Sequence, residues 1–233
     1  MAYVNSIYFT LKAIHIFNHY KKYLNYDMVN NYKICQIVCN EIIKSAKINF
    51  VVEGKENISL EEPFIVASNH VGFFDIAALC SSIDKPMPFA AAKELMNNRI
   101  INKYIESIHS VLIDRKTKDI SIMKEQLESM ESAISTTGLL LFPEGECSYG
   151  EEDIKEFKKG GFIAAKKNDS LIVPTYIDYK NMKRIGRLIV PKDEVRVIFD
   201  KSFKPSELLD KRISAQELAK MTRKKVLDLR NHN

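Results

Sequence analysis

Long apolar runs are missing from this chain. Nowhere do its 233 residues stay apolar for the ~18–20 positions that a membrane-spanning helix needs. Metal sets are missing too, since there is no His-Glu-x-x-His and no spaced Cys/His cluster. The absence of Gly-x-Ser-x-Gly sets aside serine hydrolases built on that elbow. Gly145 and Gly150 bracket four residues, but Glu151 follows where a P-loop carries lysine, and no helix is predicted to begin there. The four cysteines, Cys35, Cys39, Cys80 and Cys147, make no disulfide framework, which fits a reducing compartment. Cys35 and Cys39 lie four apart on a predicted helix and read as buried thiols. The N-terminal apolar segment lacks a small-residue cleavage site, so no secretory signal is expected. There is no repeat, low-complexity tract or Pro/Gly linker, and one domain preceded by a helix pair is the economical reading.

What is present is a globular composition, 45% apolar, with an uneven charge. Residues 1–50 carry six lysines against two acids, and residues 201–233 carry nine lysines and arginines against four acids. The net charge is +5, so the middle of the chain is slightly acidic. Basic ends around an acidic body do not make a nucleic-acid groove, and no nucleic-acid partner is expected. They suit an anionic membrane surface, with ordinary solvated charge as the alternative for the C-terminal segment.

Residues 3–24 are predicted to be a helix of large apolar and aromatic side chains interrupted by Lys12, His15, His19, Lys21 and Lys22. Six of the ten tyrosines fall within the first 32 residues. Amphipathic, Tyr-rich and basic is the make-up of a helix lying in a membrane interface; the alternative is a plain hairpin packed on the domain. After a turn at 25–27 a second helix is predicted over 28–46. Residues 1–47 are thus an amphipathic helix pair expected to touch a membrane surface, and 48–233 the main domain.

From residue 48 the apolar period changes. Strands are predicted at 48–53, 64–67, 86–92, 110–113, 139–142, 171–177, 188–190 and 195–199. Helices are predicted at 99–107, 119–134 and 162–167, with a last one opened by the capping box Ser214/Glu217 and running to about 229. Alternation of this kind means an α/β class: a single domain with a mixed, largely parallel sheet flanked by helices. Pro174 inside its strand argues for an edge or a bulge. On 119–134, Ile120, Met123, Leu127, Met130 and Ile134 share one face.

The stretch from Phe64 to Leu79 carries the chemistry. A buried strand ends at Asn69 and His70, the chain turns through Val71-Gly72, and Asp75 falls about one turn into the next helix. A carboxylate there can orient an imidazole, select its tautomer and balance its positive charge, as a general base requires. A capping or core pair would look the same in isolation. A second buried strand, 139–142, ends likewise in a polar turn at Pro143-Glu-Gly145, and paired strand ends are where open α/β sheets build sites.

Four features fall in order: Asn69-His70-x4-Asp75, Ile113-Asp114-Arg115, Phe142-Pro-Glu-Gly145 and Val173-Pro174. This order resembles the 1-acylglycerol-3-phosphate O-acyltransferase family, over about residues 52–203. Lys93-Glu-Leu95 and Phe157-Lys-Lys-Gly160 also look like family positions, and the N-terminal pair is similar to the membrane-binding hairpin of some bacterial members. The resemblance implies that His70 deprotonates the free hydroxyl of 1-acylglycerol-3-phosphate, with Asp75 orienting it, so that the oxygen attacks an acyl thioester and phosphatidic acid forms. It implies acceptor or phosphate binding by Arg115, Glu144 and Gly145, with Lys93 in support. No metal or cofactor is implied; the donor is acyl-coenzyme A or acyl carrier protein. The expected location is the cytoplasmic face of the cell membrane, as a peripheral protein. The chain departs from the pattern at His109 and Leu112 in the second motif, and at Glu146 and Cys147, where the family usually has Thr and Arg. Losing an arginine and gaining a glutamate there removes positive charge where a phosphate is expected. Another lysolipid or alcohol acceptor, or a non-catalytic lipid-surface binding protein, are the competing readings.

Overall fold

The computed structural model describes residues 2–59, 61–150, 153–186, 188–208 and 212–231. Two helices lead, α1 (Ala2–Tyr20) and α2 (Met28–Ala46). Asp27 starts α2 by accepting from the amides of Val29 at 2.9 Å and Asn30 at 3.2 Å. There follow β1 (Asn49–Glu53), β2 (Phe64–Ser68), α3 (Phe74–Ser82), β3 (Ala90–Ala92), α4 (Asn102–Ser107), β4 (Val111–Ile113), α5 (Ile120–Thr136) and β5 (Leu139–Leu141). The chain then forms α6 (Gly160–Lys167), β6 (Leu171–Tyr179), β7 (Met182–Ile185), β8 (Leu188–Pro191), β9 (Glu194–Phe199) and α7 (Ala215–Asn231).

The main sheet runs β1-β9-β6-β2-β5, with β6–β9 antiparallel and the other pairings parallel. This is the mixed, largely parallel sheet that the alternation predicts. Strand β2 is buried throughout, as a parallel strand between two helix layers must be. Its alternate residues divide the core: Phe64 and Val66 pack with α2 and α3, while Ile65 and Ala67 pack with α5, α6 and α7. The N-terminal pair belongs to the first of these layers, to which it contributes Ile16, Tyr32, Val38 and Ile42. Gln36 Nε2 ties α2 to the end of α3, donating to the carbonyls of Cys80 (3.2 Å) and Ile83 (2.8 Å).

Several expectations are corrected. The predicted strand 86–92 shrinks to Ala90–Ala92, because Pro86 and Pro88 precede it, and the helix 99–107 shrinks to Asn102–Ser107. In α5, Ile120 and Met123 stand in solvent and only the C-terminal half of the apolar face is covered. Strand β7, an antiparallel partner of β8, was not predicted. Pro174 sits in β6, an interior strand rather than an edge. Its carbonyl accepts from the Asp200 amide just past the end of β9, whose pairing with β6 begins at Thr175. A residue's nitrogen and carbonyl point to the same side of a strand, so the missing N–H faces Asp200 at the very end of the β6–β9 ladder and costs no bond within the paired stretch.

Gly54 closes β1 with φ +71°, and a Cβ there would come within 2.1 Å of the Phe199 carbonyl oxygen. Gly54→Ala is therefore expected to destabilise the fold by about 2 kcal/mol or more. A thermal melt should move down by roughly 5 °C.

Candidate active site

The site forms where β2 gives out. Asn69 follows the strand, and its side chain does what the backbone would have done: Nδ2 donates to the Ile177 carbonyl (3.0 Å) and Oδ1 accepts from the Ile177 amide (2.8 Å). This clips the strand end to β6 while freeing the backbone to turn. His70 comes next. Its Nδ1 lies 2.7 Å from Asp75 Oδ2, and its ring stacks on Phe142 with centroids 3.9 Å apart. Asp75 has no exposed surface. Its Oδ2 also accepts from the amides of Val71 (2.7 Å) and Gly72 (2.9 Å), and Oδ1 accepts from the Tyr179 hydroxyl at 2.5 Å. A carboxylate with four donors around it is fully satisfied and geometrically fixed.

These contacts set the charge on the imidazole. Burial works against a positive His70, but the hydrogen bond to Asp75 and the neighbouring Cys147 outweigh it and push the pKa up to about 10. Burial pushes the Tyr179 hydroxyl well above its ordinary range, and the Asp75 charge adds to that, so Tyr179 stays a donor.

The turn after β5 is laced to the His70 loop. Glu144, almost wholly buried, accepts from the His70 amide with Oε1 (2.7 Å) and from the Lys155 amide with Oε2 (2.9 Å). The amides of Ser148 and Tyr149 donate to the carbonyls of His70 (2.7 Å) and Val71 (3.0 Å). Burial raises the Glu144 pKa against the pull of the two amides. Gly145 makes this turn at φ +77°. Glu144 thus faces inward and joins two loops, while Gly145 presents its carbonyl to Arg115, whose Nη1 donates to it at 2.6 Å. Arg115 Nη2 also lies 3.5 Å from Glu94. Glu146 is exposed and pairs with Lys155 Nζ at 3.0 Å, which lowers its pKa. Lys93 is exposed and lines a second, open cavity of about 1080 Å³ beside β4 and α5, together with His109, Leu112 and Asp114. A smaller cavity of about 380 Å³ backs the site, lined by Asn69, Glu144, Ser148, Asp178, Tyr179 and Arg230.

His70, Asp75, Glu144 and Gly145 therefore converge, with Arg115 reaching the same turn, and Lys93 stands apart. Two residues at the centre were not selected from the sequence as site residues. Tyr179 comes from the far end of β6, 104 positions from Asp75, and only its place on an alternating strand could have marked it. Cys147, noted only as a departure from a family pattern, puts its Sγ 3.0 Å from His70 Nε2.

Comparison with known proteins gives three findings. The model of the family described as Acyltransferase matches residues 49–178, more than half of the chain. A 1-acyl-sn-glycerol-3-phosphate acyltransferase of Bacillus subtilis (strain 168) is 27% identical over 144 residues, which is 61% of this chain and 69% of that protein. The crystal structure of the 1-acyl-sn-glycerophosphate (LPA) acyltransferase PlsC from Thermotoga maritima matches with a TM-score of 0.75 and 22% identity, over 97% of this chain and 95% of that one. The structural likeness is one of fold, and it extends through the N-terminal helix pair. His70, Asp75, Arg115, Glu144 and Cys147 all lie within the family match.

Proposed function

Starting from a chain that belongs to the acyltransferase family, we propose that it moves a fatty acyl group from a thioester donor to the free hydroxyl of 1-acylglycerol-3-phosphate at a membrane surface. The observation that carries this reading is the His70–Asp75 pair, fixed at 2.7 Å with the carboxylate wholly buried. An alcohol with a pKa far above 7 needs a base within hydrogen-bond reach, whereas a thioester carbonyl is already electrophilic. Asp75 fixes the proton on Nδ1 and leaves Nε2 to exchange protons with the reacting groups. The donor is coenzyme A or carrier protein carrying the acyl chain, and no metal or cofactor has a role.

The acceptor phosphate needs fixed cations, and Arg115 is the best placed. It lies against the Gly145 turn, and a guanidinium can grip phosphate through two bonds. Lys158 also reaches this turn. Arg115→Ala is expected to raise KM for 1-acylglycerol-3-phosphate about 10- to 100-fold, the value of a charged hydrogen bond. Steady-state kinetics with kcat little changed would be the signature. Glu146, which pairs with Lys155 beside this turn, favours a second reading in which the acceptor is a less anionic lysolipid.

Membrane contact rests on the N-terminal pair. Tyr8, Leu11, Tyr23, Tyr26, Val29 and Ile37 are exposed there among basic residues, and exposed Phe73, three positions from His70, packs on Phe17 of α1. Among the described residues no helix is long and apolar enough to cross a membrane. The pair would lie in the interface, at the cytoplasmic face where both donor types are found.

The test is thiol release from palmitoyl-coenzyme A or a palmitoyl carrier protein, in anionic vesicles, with and without 1-acylglycerol-3-phosphate. Release that depends on this acceptor is expected. Release with an ethanolamine- or choline-bearing lysolipid instead would move the reading to another acceptor. Vesicle binding with no release under any condition would replace it with the binding-protein reading.

A further inference from the structure

We propose that the Glu146 carboxylate holds the place of the acceptor's phosphate in the free protein, and that Lys155 is the cation it gives up when a phosphomonoester binds. The proposal rests on the acyl-transfer reading above and names the pair with which that site takes its acceptor.

Three cations from two loops meet one turn. Arg115, just past β4, donates through Nη1 to the Gly145 carbonyl at 2.6 Å. Lys158 gives its amide to the Pro143 carbonyl (2.9 Å) and brings its Nζ against Gly145. Lys155 Nζ stands 3.0 Å from Glu146 Oε1. Lys155 is firmly placed, because its amide donates to the buried Glu144 (2.9 Å) and its carbonyl accepts from Arg223 Nε (2.9 Å). Its backbone is fixed, and only its side chain can change partner. The same Glu144 carboxylate accepts from the His70 amide (2.7 Å), so Lys155 and the imidazole are set from one anchor. Glu146 precedes Cys147, whose Sγ is 3.0 Å from His70 Nε2. The acceptor needs the same closeness, since only a few bonds separate its phosphate from the hydroxyl that must meet this nitrogen.

The exchange is favourable on charge. The Glu146 side chain is 60% exposed, and an exposed ion pair opens at small cost. A phosphomonoester carries nearly two negative charges and three strong acceptor oxygens, against one charge on the carboxylate. Phosphate therefore displaces Glu146 from Lys155 and bridges to Arg115, while the carboxylate turns to solvent. The cations already act together on one anion, since Lys155, then Lys158 and Arg115, hold the Glu146 carboxyl below the usual range. The turn itself has no arginine, and its cation comes instead from Lys155, nine positions on. The acid beside the site is thus not the mark of a less anionic acceptor. It is a place-holder that keeps Lys155 over the turn until phosphate arrives.

The experiment is a double-mutant cycle read on KM for 1-acylglycerol-3-phosphate, in uncharged detergent micelles with palmitoyl-coenzyme A or a palmitoyl carrier protein as donor. Each variant is first checked as folded by its melt. Glu146→Gln should lower KM about two- to fivefold, the value of an exposed ion pair that no longer has to open. Lys155→Met should raise KM about tenfold or more, in the wild-type and the Glu146→Gln backgrounds alike, because the phosphate loses a charged hydrogen bond. The changes should fall on KM rather than kcat. The Glu146→Gln background is decisive, because a lysine that merely neutralises Glu146 has nothing left to do there. Lys155→Met within about twofold of its parent in that background overturns the proposal. So does a Glu146→Gln whose KM is unchanged or raised. Both outcomes leave acyl transfer to this acceptor standing. A wild type that acylates only a choline- or ethanolamine-bearing lysolipid overturns the proposal and keeps the transferase, and one that releases no thiol with any donor or acceptor removes both readings.

Discussion

His70→Ala should lower acyl transfer by about a thousandfold while the protein still folds, the usual value of a positioned acid–base group. The loss is expected because the acceptor hydroxyl must give its proton to Nε2. The variant also gives a second readout. Burial disfavours a charged His70, yet Asp75 and Cys147 raise its pKa from the ordinary 6.5 to about 10. A group whose pKa is raised on folding stabilises the native state fully below its unfolded pKa. That contribution declines as pH climbs and is gone above the folded pKa. Melting temperatures of wild type and His70→Ala should therefore lie farthest apart below pH 6.5 and converge toward pH 10. A gap that does not change with pH would mean that folding leaves the His70 pKa unshifted.

The second large effect is at Asp75. Asp75→Asn keeps the size but replaces an acceptor-only group by one that is half donor. One carboxylate oxygen takes three hydrogen bonds, from Val71, Gly72 and His70, and the other takes one from Tyr179. An amide turned with its oxygen toward the three donors leaves its NH₂ facing the tyrosine hydroxyl, and the imidazole loses its negative partner. Activity should fall by roughly 10³- to 10⁴-fold, as when a triad carboxylate elsewhere is neutralised. Stability should fall by about 1–3 kcal/mol, the cost of mismatched buried polar groups. Asp75→Ala should be worse on both counts, because it leaves four donors unpaired. A fully stable and inactive Asp75→Ala would contradict the role given to the buried carboxylate in shaping the turn.

The parts of this molecule that were legible in its sequence are those governed by local rules. The second helix has the predicted limits, 28–46, because a capping Asp27 and a left-handed Lys47 bound it. The Ser214/Glu217 capping box closes as expected, with Ser214 and Glu217 exchanging hydrogen bonds. The strand–turn–helix around His70 was visible as a change of period. What escaped depends on long-range pairing. Tyr179 reaches Asp75 only because β6 lies beside β2 in parallel, in a register that no local pattern encodes. Pro174 looked like an edge residue because its sequence does not show where β9 ends. Ile120 and Met123 kept a helical period, but no described residue covers the first turns of α5. Cys147 was read as a missing arginine, because its approach to His70 is fixed by backbone bonds of Ser148 and Tyr149 to the neighbouring loop.

Those backbone bonds have a consequence for motion. A turn with glycines at 145 and 150 has the look of a movable flap. Lifting it would break the bonds from the His70 and Lys155 amides to Glu144, and those from the Ser148 and Tyr149 amides to the His70 loop. At about 1 kcal/mol apiece the lifted form would be populated by roughly one molecule in a thousand. The turn and the histidine therefore travel as one piece, and substrates reach a pre-assembled floor rather than closing one over themselves.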